Sequence, residues 1–191
     1  MTEMGWAGVL IPEDHGGVAM GHVAAGVIAE EMGRTLTASP FLSTAVMGAI
    51  AVTDHGSTGQ REQWLSKIAD GTMNVAVAID EDRSHSPALV STTVQPSDRG
   101  FTISGSKSFV ADGHVADQIL MSARSSGGAQ DENGISLFLV PRDCIGLTIE
   151  RQTMVDSRNS ATVQFDRVEV DADALIGEAG EGYAALEHVL D

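Results

Sequence analysis

The segment Met73-Asn-Val-Ala-Val-Ala-Ile-Asp80 decides how the chain is read, because the period of its apolar residues changes there. Met73, Val75, Val77 and Ile79 alternate with Asn74, Ala76, Ala78 and Asp80, the two-residue repeat of a strand. Upstream the repeat is helical. Over Val18–Arg34, Val23, Val27, Ile28 and Met32 recur at helical spacing and are expected to face inward, with Gly33 near the stop. Ser39-Pro40 reads as an N-cap followed by proline at the first helical position. Phe41 to Val52 is apolar nearly all round, as in a buried helix ending near Gly56. A further helix opens at Ser57, with Gln60 completing a capping box, turns Trp64, Leu65 and Ile68 inward, and stops at Asp70-Gly71.

Downstream of Ile79 the strand period persists. Strands are expected over Leu89–Gln95, Phe101–Ser104, Ser106–Ala111, Gln118–Ala123, Ile135–Val140, Leu147–Arg151 and Ala161–Val170. Turn residues separate them, and Ser125–Gly134 reads as a long exposed hairpin tip. Evenly spaced strands without intervening helices imply an antiparallel barrel or sandwich. After Leu175-Ile-Gly177 a helical stripe returns with Tyr183, Leu186, Val189 and Leu190. The stripe ends at Asp191 with little to bury against, which reads as a truncation or as a segment that docks on something else. The expected fold class is therefore α+β, with a helical segment over 1–72 and a β domain over 73–172. Residues 173–191 would begin a further helical domain.

Composition limits the function. Eleven basic against 27 acidic residues give a net charge of −16, which argues against a nucleic-acid backbone or an anionic membrane as partner. The longest apolar run, Ala45–Val52, is too short to span a bilayer. The first residues lack the basic-then-apolar order of a signal peptide, and Cys144 is the single cysteine, so a reducing cytoplasm is expected. The six histidines, His15, His22, His55, His85, His114 and His188, show no metal-ligand spacing. Asp80-Glu-Asp82 reads as a solvated strand end in preference to a cation site. Gly177-Glu-Ala-Gly-Glu-Gly182 lacks the Lys-Ser/Thr of a phosphate loop and reads as a tight turn before a helix.

Five stretches in order resemble the acyl-CoA dehydrogenase family. Gly5-Trp-Ala-Gly-Val-Leu-Ile-Pro-Glu-Asp-His-Gly-Gly17 is similar to its "G-x-x-P-E-x-x-G-G", and Glu30-Glu-Met-Gly-Arg34 to its "E-E-L-G-R". Ile103-Ser-Gly-Ser-Lys-Ser-Phe-Val-Ala-Asp-Gly113 with Ala116-Asp117 resembles "L-N-G-x-K-x-W-I-T-N-G-x-x-A-D". Ser136-Leu-Phe-Leu-Val-Pro141 and Val163-Gln-Phe-Asp-Arg-Val-Glu-Val170 complete the series, followed by Leu175-Ile-Gly177. The resemblance implies a helical domain, a middle β domain and a C-terminal four-helix domain, assembled as dimers of dimers. It also implies FAD between the last two domains and α,β-dehydrogenation of an acyl-CoA substrate by a glutamate base and the flavin. That glutamate belongs to the C-terminal domain in most members, so no catalytic residue is assigned here, and the chain alone is expected to be inactive.

The resemblance further implies which residues face the flavin. They are Val77, Ile79, Asp80, Ser86, Phe109, Val110 and Ala111, with Ser86 also near the substrate thioester. Asp80–Pro87 stands where the family has "T-E-P-x-A-G-S-D", so Asp80 replaces a threonine at the flavin pyrimidine edge. A carboxylate there opposes negative charge at N1 and O2 unless it is protonated or turned away. Phe109 replaces a tryptophan wall and keeps a stacking surface, whereas Ala111 loses a threonine hydroxyl worth about 1 kcal/mol. Two roles are expected from these departures. One is part of an acyl-CoA dehydrogenase; the alternative is a non-catalytic subunit or interaction module of a heteromeric acyl-CoA dehydrogenase, its own flavin site decayed, and in either role a homo- or hetero-oligomer with acyl-CoA dehydrogenase-like subunits is expected. An acyl-CoA oxidase or flavin monooxygenase on the same fold stays open as a third.

Overall fold

The alternation that begins at Met73 places two cores back to back. In this computed structural model, which describes residues 2–191 apart from 157, β1 (Val75–Ala78) sends Val75 into a core shared with the helices. Ala76 and Ala78 of the same strand enter a second core within the sheet. β4 (Gln118–Arg124) and β5 (Ile135–Pro141) divide in the same way. Leu120, Leu137 and Leu139 meet the helices, while Ile119, Met121, Phe138 and Val140 meet the opposite half of the sheet. Strands buried on both faces explain the nearly continuous apolar runs.

The sheet is completed by β2 (Thr93–Ser97), β3 (Gly100–Ala111), β6 (Leu147–Thr153), β7 (Asn159–Asp171) and β8 (Leu175–Ile176). Its order is β6-β7-β3-β2-β4-β5-β8, with β1 added beside β4. Ile103, Val163, Phe165 and Val168 share the second core with the β4–β5 residues, and Phe101 and Phe138 meet edge to face at 5.1 Å. The sandwich expectation therefore describes the packing. The barrel expectation does not hold, because the sheet stays open, with β6 and β8 at its ends. Nor is it wholly antiparallel: β1 pairs β4 in parallel, and β2 touches β4 in parallel at Thr93 and Arg124.

Two strand boundaries move for identifiable reasons. The expected strand Leu89–Gln95 starts only at Thr93, because the amides of Val90, Ser91 and Thr92 donate to the Ala129 carbonyl and the Glu81 carboxylate instead of a ladder. Phe101–Ser104 and Ser106–Ala111 merge into one strand through a bulge at Gly105. A Cβ at Gly105 would lie 2.4 Å from Thr92 Oγ1, so only glycine lets these segments run on.

The helices are α1 (Gly21–Arg34), α2 (Ala49–His55), α3 (Thr58–Ala69) and α4 (Gly182–Leu190). α1 starts three residues later than expected and is rotated, with Ala25 buried, Ile28 and Met32 packed against it, and Val23 and Val27 exposed at 83% and 56%. Pro40 occupies the cap itself, and a wide-turned π-helical run, Phe41–Gly48, leads into α2. The Ser57–Gln60 capping box opens α3, whose Trp64, Leu65 and Ile68 are buried as expected. α4 corrects the view that it has nothing to bury against: Ala185, Leu186 and Val189 join the helical core beside Leu137 and Ile176. Among the described residues no helix is long and apolar enough to cross a membrane.

Candidate functional site

The loop leaving β1 is tied to β3 at its first residue. The Ser108 amide donates to the Asp80 carbonyl at 2.7 Å, placing Asp80 beside Phe109. The Asp80 carboxylate turns back into its own loop, where Oδ1 accepts from the Ser86 amide at 3.1 Å. It also meets His85 Nδ1 at 3.0 and 3.1 Å. An ionised carboxylate only accepts, so Nδ1 carries the hydrogen and the tautomer is set. Nε2 then has no partner among the described residues, on a side chain that is 62% exposed.

Phe109 sits on a bulge. The β3–β7 register slips between Lys107 and Val110, and Phe109 takes a left-handed backbone at φ 54°, followed by Asp112 at φ 57°. Such geometry in a residue with a side chain costs on the order of 1–3 kcal/mol and persists where the surroundings enforce it. The enforcing contacts are the Ser108–Asp80 bond on one side and the Asp112 amide donating to the Asn159 carbonyl on the other. The result is an aromatic ring that is 44% exposed between the buried residues Lys107 and Val110. The ring opens onto a groove of about 510 Å³ that Ala111, Asp112, Leu36, Met154 and Arg158 also line.

Behind this surface lies a buried ion pair. Lys107 is fully buried, and its ammonium donates to Glu81 Oε1 at 2.8 Å, the Ile79 carbonyl at 3.0 Å and Ser122 Oγ at 3.0 Å. Glu81 in turn accepts from the Ser91 and Thr92 amides. Burial pushes the Glu81 carboxyl up, but Lys107 and Thr92 outweigh it and hold the group below the usual carboxylate range. Burial draws Lys107 below the usual lysine range, with Glu81 and Asp80 opposing. All three ammonium hydrogens are used, so the cation is matched and not stranded. Glu81 is therefore no part of a solvated strand end: it fastens the site loop to the sheet.

The sequence-assigned residues fall into two groups. Asp80 and Ser86 are joined by a hydrogen bond, Asp80 is tied to Ser108 next to Phe109, and Phe109 and Ala111 line one groove. Ile79 and Val110 are buried, and Val77 is half-buried against the helical core, so these three offer backbone more than side chain. The Glu81–Lys107 pair escaped the sequence reading, although both residues lie inside quoted motifs; the signal was the single charged residue of the strand Gly100–Ala111. His85, in the middle of the loop, was read only as one of six scattered histidines. His55 and His188, 133 residues apart, meet at 3.0 Å, a pairing no local spacing encodes.

An isoalloxazine needs a flat apolar face and open backbone beside it, and these residues fit that need. Phe109 offers the face, the alanine at 111 leaves the strand edge uncrowded, and the Asp80 carboxylate is turned aside. A second groove of about 570 Å³, between Trp64, Arg99, Cys144 and Asp171, shares none of these residues. Burial, Asp143 and Asp171 push the Cys144 thiol up, so it is a poor nucleophile.

Comparison with known proteins agrees with this layout. Residues 1–72 match the acyl-CoA dehydrogenase N-terminal domain, and residues 76–168 match the acyl-CoA dehydrogenase middle domain. Acyl-CoA dehydrogenase FadE12 of Mycobacterium tuberculosis is 30% identical over 190 residues, covering 96% of this chain and 48% of that protein. Cyclohex-1-ene-1-carbonyl-CoA dehydrogenase of Geobacter metallireducens is 31% identical, covering 99% of this chain and 51% of that protein. The solved acyl-CoA dehydrogenase of Geobacillus kaustophilus superposes with a TM-score of 0.88 at 27% identity, over 100% of this chain and 52% of that one. The ChsE4–ChsE5 complex of Mycobacterium tuberculosis shares the fold at a TM-score of 0.90 and 20% identity, over 100% of this chain and 49% of that one. The chain thus spans about half the length of the relatives it matches. With both domain models matched in order over nearly its whole length, the chain belongs to the acyl-CoA dehydrogenase family.

Proposed function

We propose that the chain supplies the flavin-facing N-terminal and middle part of an acyl-CoA dehydrogenase that oxidises an acyl-CoA thioester at its α,β carbons. The observation that carries this reading is Phe109, held exposed on a left-handed bulge that is bonded to the Asp80 loop. When bound, FAD supplies the hydride acceptor. Phe109 would pack on the ring system and exclude water from it, and the backbone of Val110 and Ala111 would lie beside it. Val77 and Ile79 hold Asp80 at the end of β1, and Ser86 lies on the thioester side. The base is assigned to no residue of this chain. Incubation with FAD followed by gel filtration and a visible spectrum tests the reading: retained flavin bands support it, and a colourless protein overturns flavin binding by this half alone. Turnover of an acyl-CoA with an artificial electron acceptor would overturn the expectation that the chain by itself is inactive.

A second reading has its own support. Asp80 and Ala111 depart from the family pattern, and two proteins sharing the fold carry paired names, the ChsE4–ChsE5 complex and the Tcur3481–Tcur3483 steroid dehydrogenase. In that reading the chain is a cytoplasmic subunit that completes an assembly with an acyl-CoA dehydrogenase-like partner while holding no flavin itself. Flavin stoichiometry separates the two: one FAD per chain in the assembly supports the enzyme reading, and one per pair of unlike chains supports the subunit reading.

A further inference from the structure

The Asp80 carboxylate stands where the family has a neutral hydroxyl, yet it is not left as a bare charge. His85 meets both of its oxygens through Nδ1, and the Ser86 amide holds the loop closed around it. With Nδ1 committed to Asp80, proton binding can occur only at Nε2. That one event converts Nε2 from acceptor to donor and changes the dyad from −1 to neutral. The surrounding charges do not substitute for it. Lys107, packed behind on β3, is committed to Glu81, the Ile79 carbonyl and Ser122. Asp82 and Arg83, on the same loop, are exposed, and Arg83 forms no ion pair among the described residues.

We propose that His85 is a flavin-edge ligand in this chain, the cation that makes the Asp80 loop compatible with FAD, so that cofactor binding takes up one proton. The inference rests on the reading that FAD lies against Asp80 and Phe109. FAD brings a pyrophosphate dianion and an electron-rich pyrimidine edge, and both favour a neutral dyad with an outward N–H over a net negative one. Histidine thereby replaces the lost threonine as donor at this edge.

The test is a fluorescence titration of FAD into the whole chain from pH 5.5 to 8.5, repeated for H85Q and D80T. In the unmodified chain Kd should weaken with rising pH, by at most about tenfold per pH unit, as one linked proton requires. H85Q should bind more weakly at pH 6 and lose the slope. D80T should also lose the slope and bind more tightly than the unmodified chain at pH 8. Nitrogen NMR of the ring gives a readout independent of affinity: at pH 7, added FAD should move Nε2 of His85 toward its protonated form. Binding with a flat pH profile, a slope that survives in H85Q, or affinity rising with pH would overturn the role of His85 while leaving the flavin reading intact. Absence of binding by all three proteins at every pH would overturn flavin binding by this half alone, and this inference with it.

Discussion

Replacing Lys107 by methionine keeps the length and most of the volume of the side chain while deleting the charge that Glu81 faces. Glu81 would keep its two backbone donors at Ser91 and Thr92 but would lose the one cation it meets among the described residues, at a side chain that is 13% exposed. Removing one partner of a buried pair costs about 3–5 kcal/mol because the other charge stays desolvated. The residual exposure and the two amides place Lys107→Met at the lower end, about 3 kcal/mol. The Ile79 carbonyl and Ser122 hydroxyl lose a donor in the same step. Denaturant unfolding reads the loss as a fall in Cm with m unchanged, and hydrogen exchange locates it at the Ser91 and Thr92 amides.

The decisive comparison is the double variant K107M/E81Q, which removes both charges. If an orphaned carboxylate causes the loss, the double variant must be more stable than K107M alone. A loss below about 1 kcal/mol in K107M, or a double variant equal to the sum of the singles, would refute the reasoning. The acid limb gives the same test without mutation. A carboxyl held below its usual range contributes stability above the ordinary carboxylate pKa and loses it as pH falls through the lowered folded value. K107M should flatten that part of the profile.

The docking of α4 should depend on pH through His55, whose ring meets His188 of that helix. Burial and the neighbouring His188 lower the pKa of His55, with Asp54 opposing, so its contribution is present above the ordinary histidine value and lost as pH falls through the lowered one. Amides in 182–190 should exchange faster at pH 5 than at pH 7.5 relative to the rest of the helical core, and equal change throughout would contradict this. Arg124→Met should cost on the order of 2–4 kcal/mol, because one guanidinium donates to six carbonyls, those of Ala88, Val90, Ser126, Ala129, Asp131 and Asn133. Limited proteolysis should then cut within 125–134 first; an unchanged cleavage pattern would show the loop to be held otherwise. Gly105→Ala should cost about 1–3 kcal/mol by forcing Thr92 and the bulge apart, and a thermal midpoint within error of the parent would argue that the bulge relaxes freely.

Much of the architecture was legible because it follows from periodicity and capping, which are local. The alternation from Met73 to Ile79 put Val75 and Ala76 on opposite faces, and the structure fills those faces with different cores. Ser57 and Gln60 lie three residues apart, so their reciprocal bonds can be read from the sequence alone. What failed depends on partners far along the chain. Val23 and Val27 obey helical spacing, yet the turn of α1 against Phe41 and Ala45 puts Ala25 inward in their place, while Ile28 and Met32 pack inward as expected. Leu89–Thr92 has strand composition, but Glu81 and Ala129 satisfy its amides before a ladder can.

The site shows the same division more sharply. The positions of Asp80, Ser86, Phe109 and Ala111 came from motif resemblance; the structure bonds Asp80 to Ser86, ties Asp80 to Ser108 beside Phe109, and lines one groove with Phe109 and Ala111. Whether Asp80 is tolerable there could not be read from its identity, because the answer lies in side-chain direction. A carboxylate aimed outward would repel an electron-rich ring edge, whereas one closed onto His85 and the Ser86 amide presents the loop as a buffered dipole. Lys107 makes the point from behind. In sequence it is the one charged residue of its strand, while in space it joins the end of β1, the site loop, and β4 through three hydrogen bonds. On the proposed flavin reading, the departure at Asp80 therefore leaves the surface usable. The loop that carries Asp80 is fastened by a satisfied buried ion pair, and a loop held that firmly can keep a carboxylate turned into its own turn.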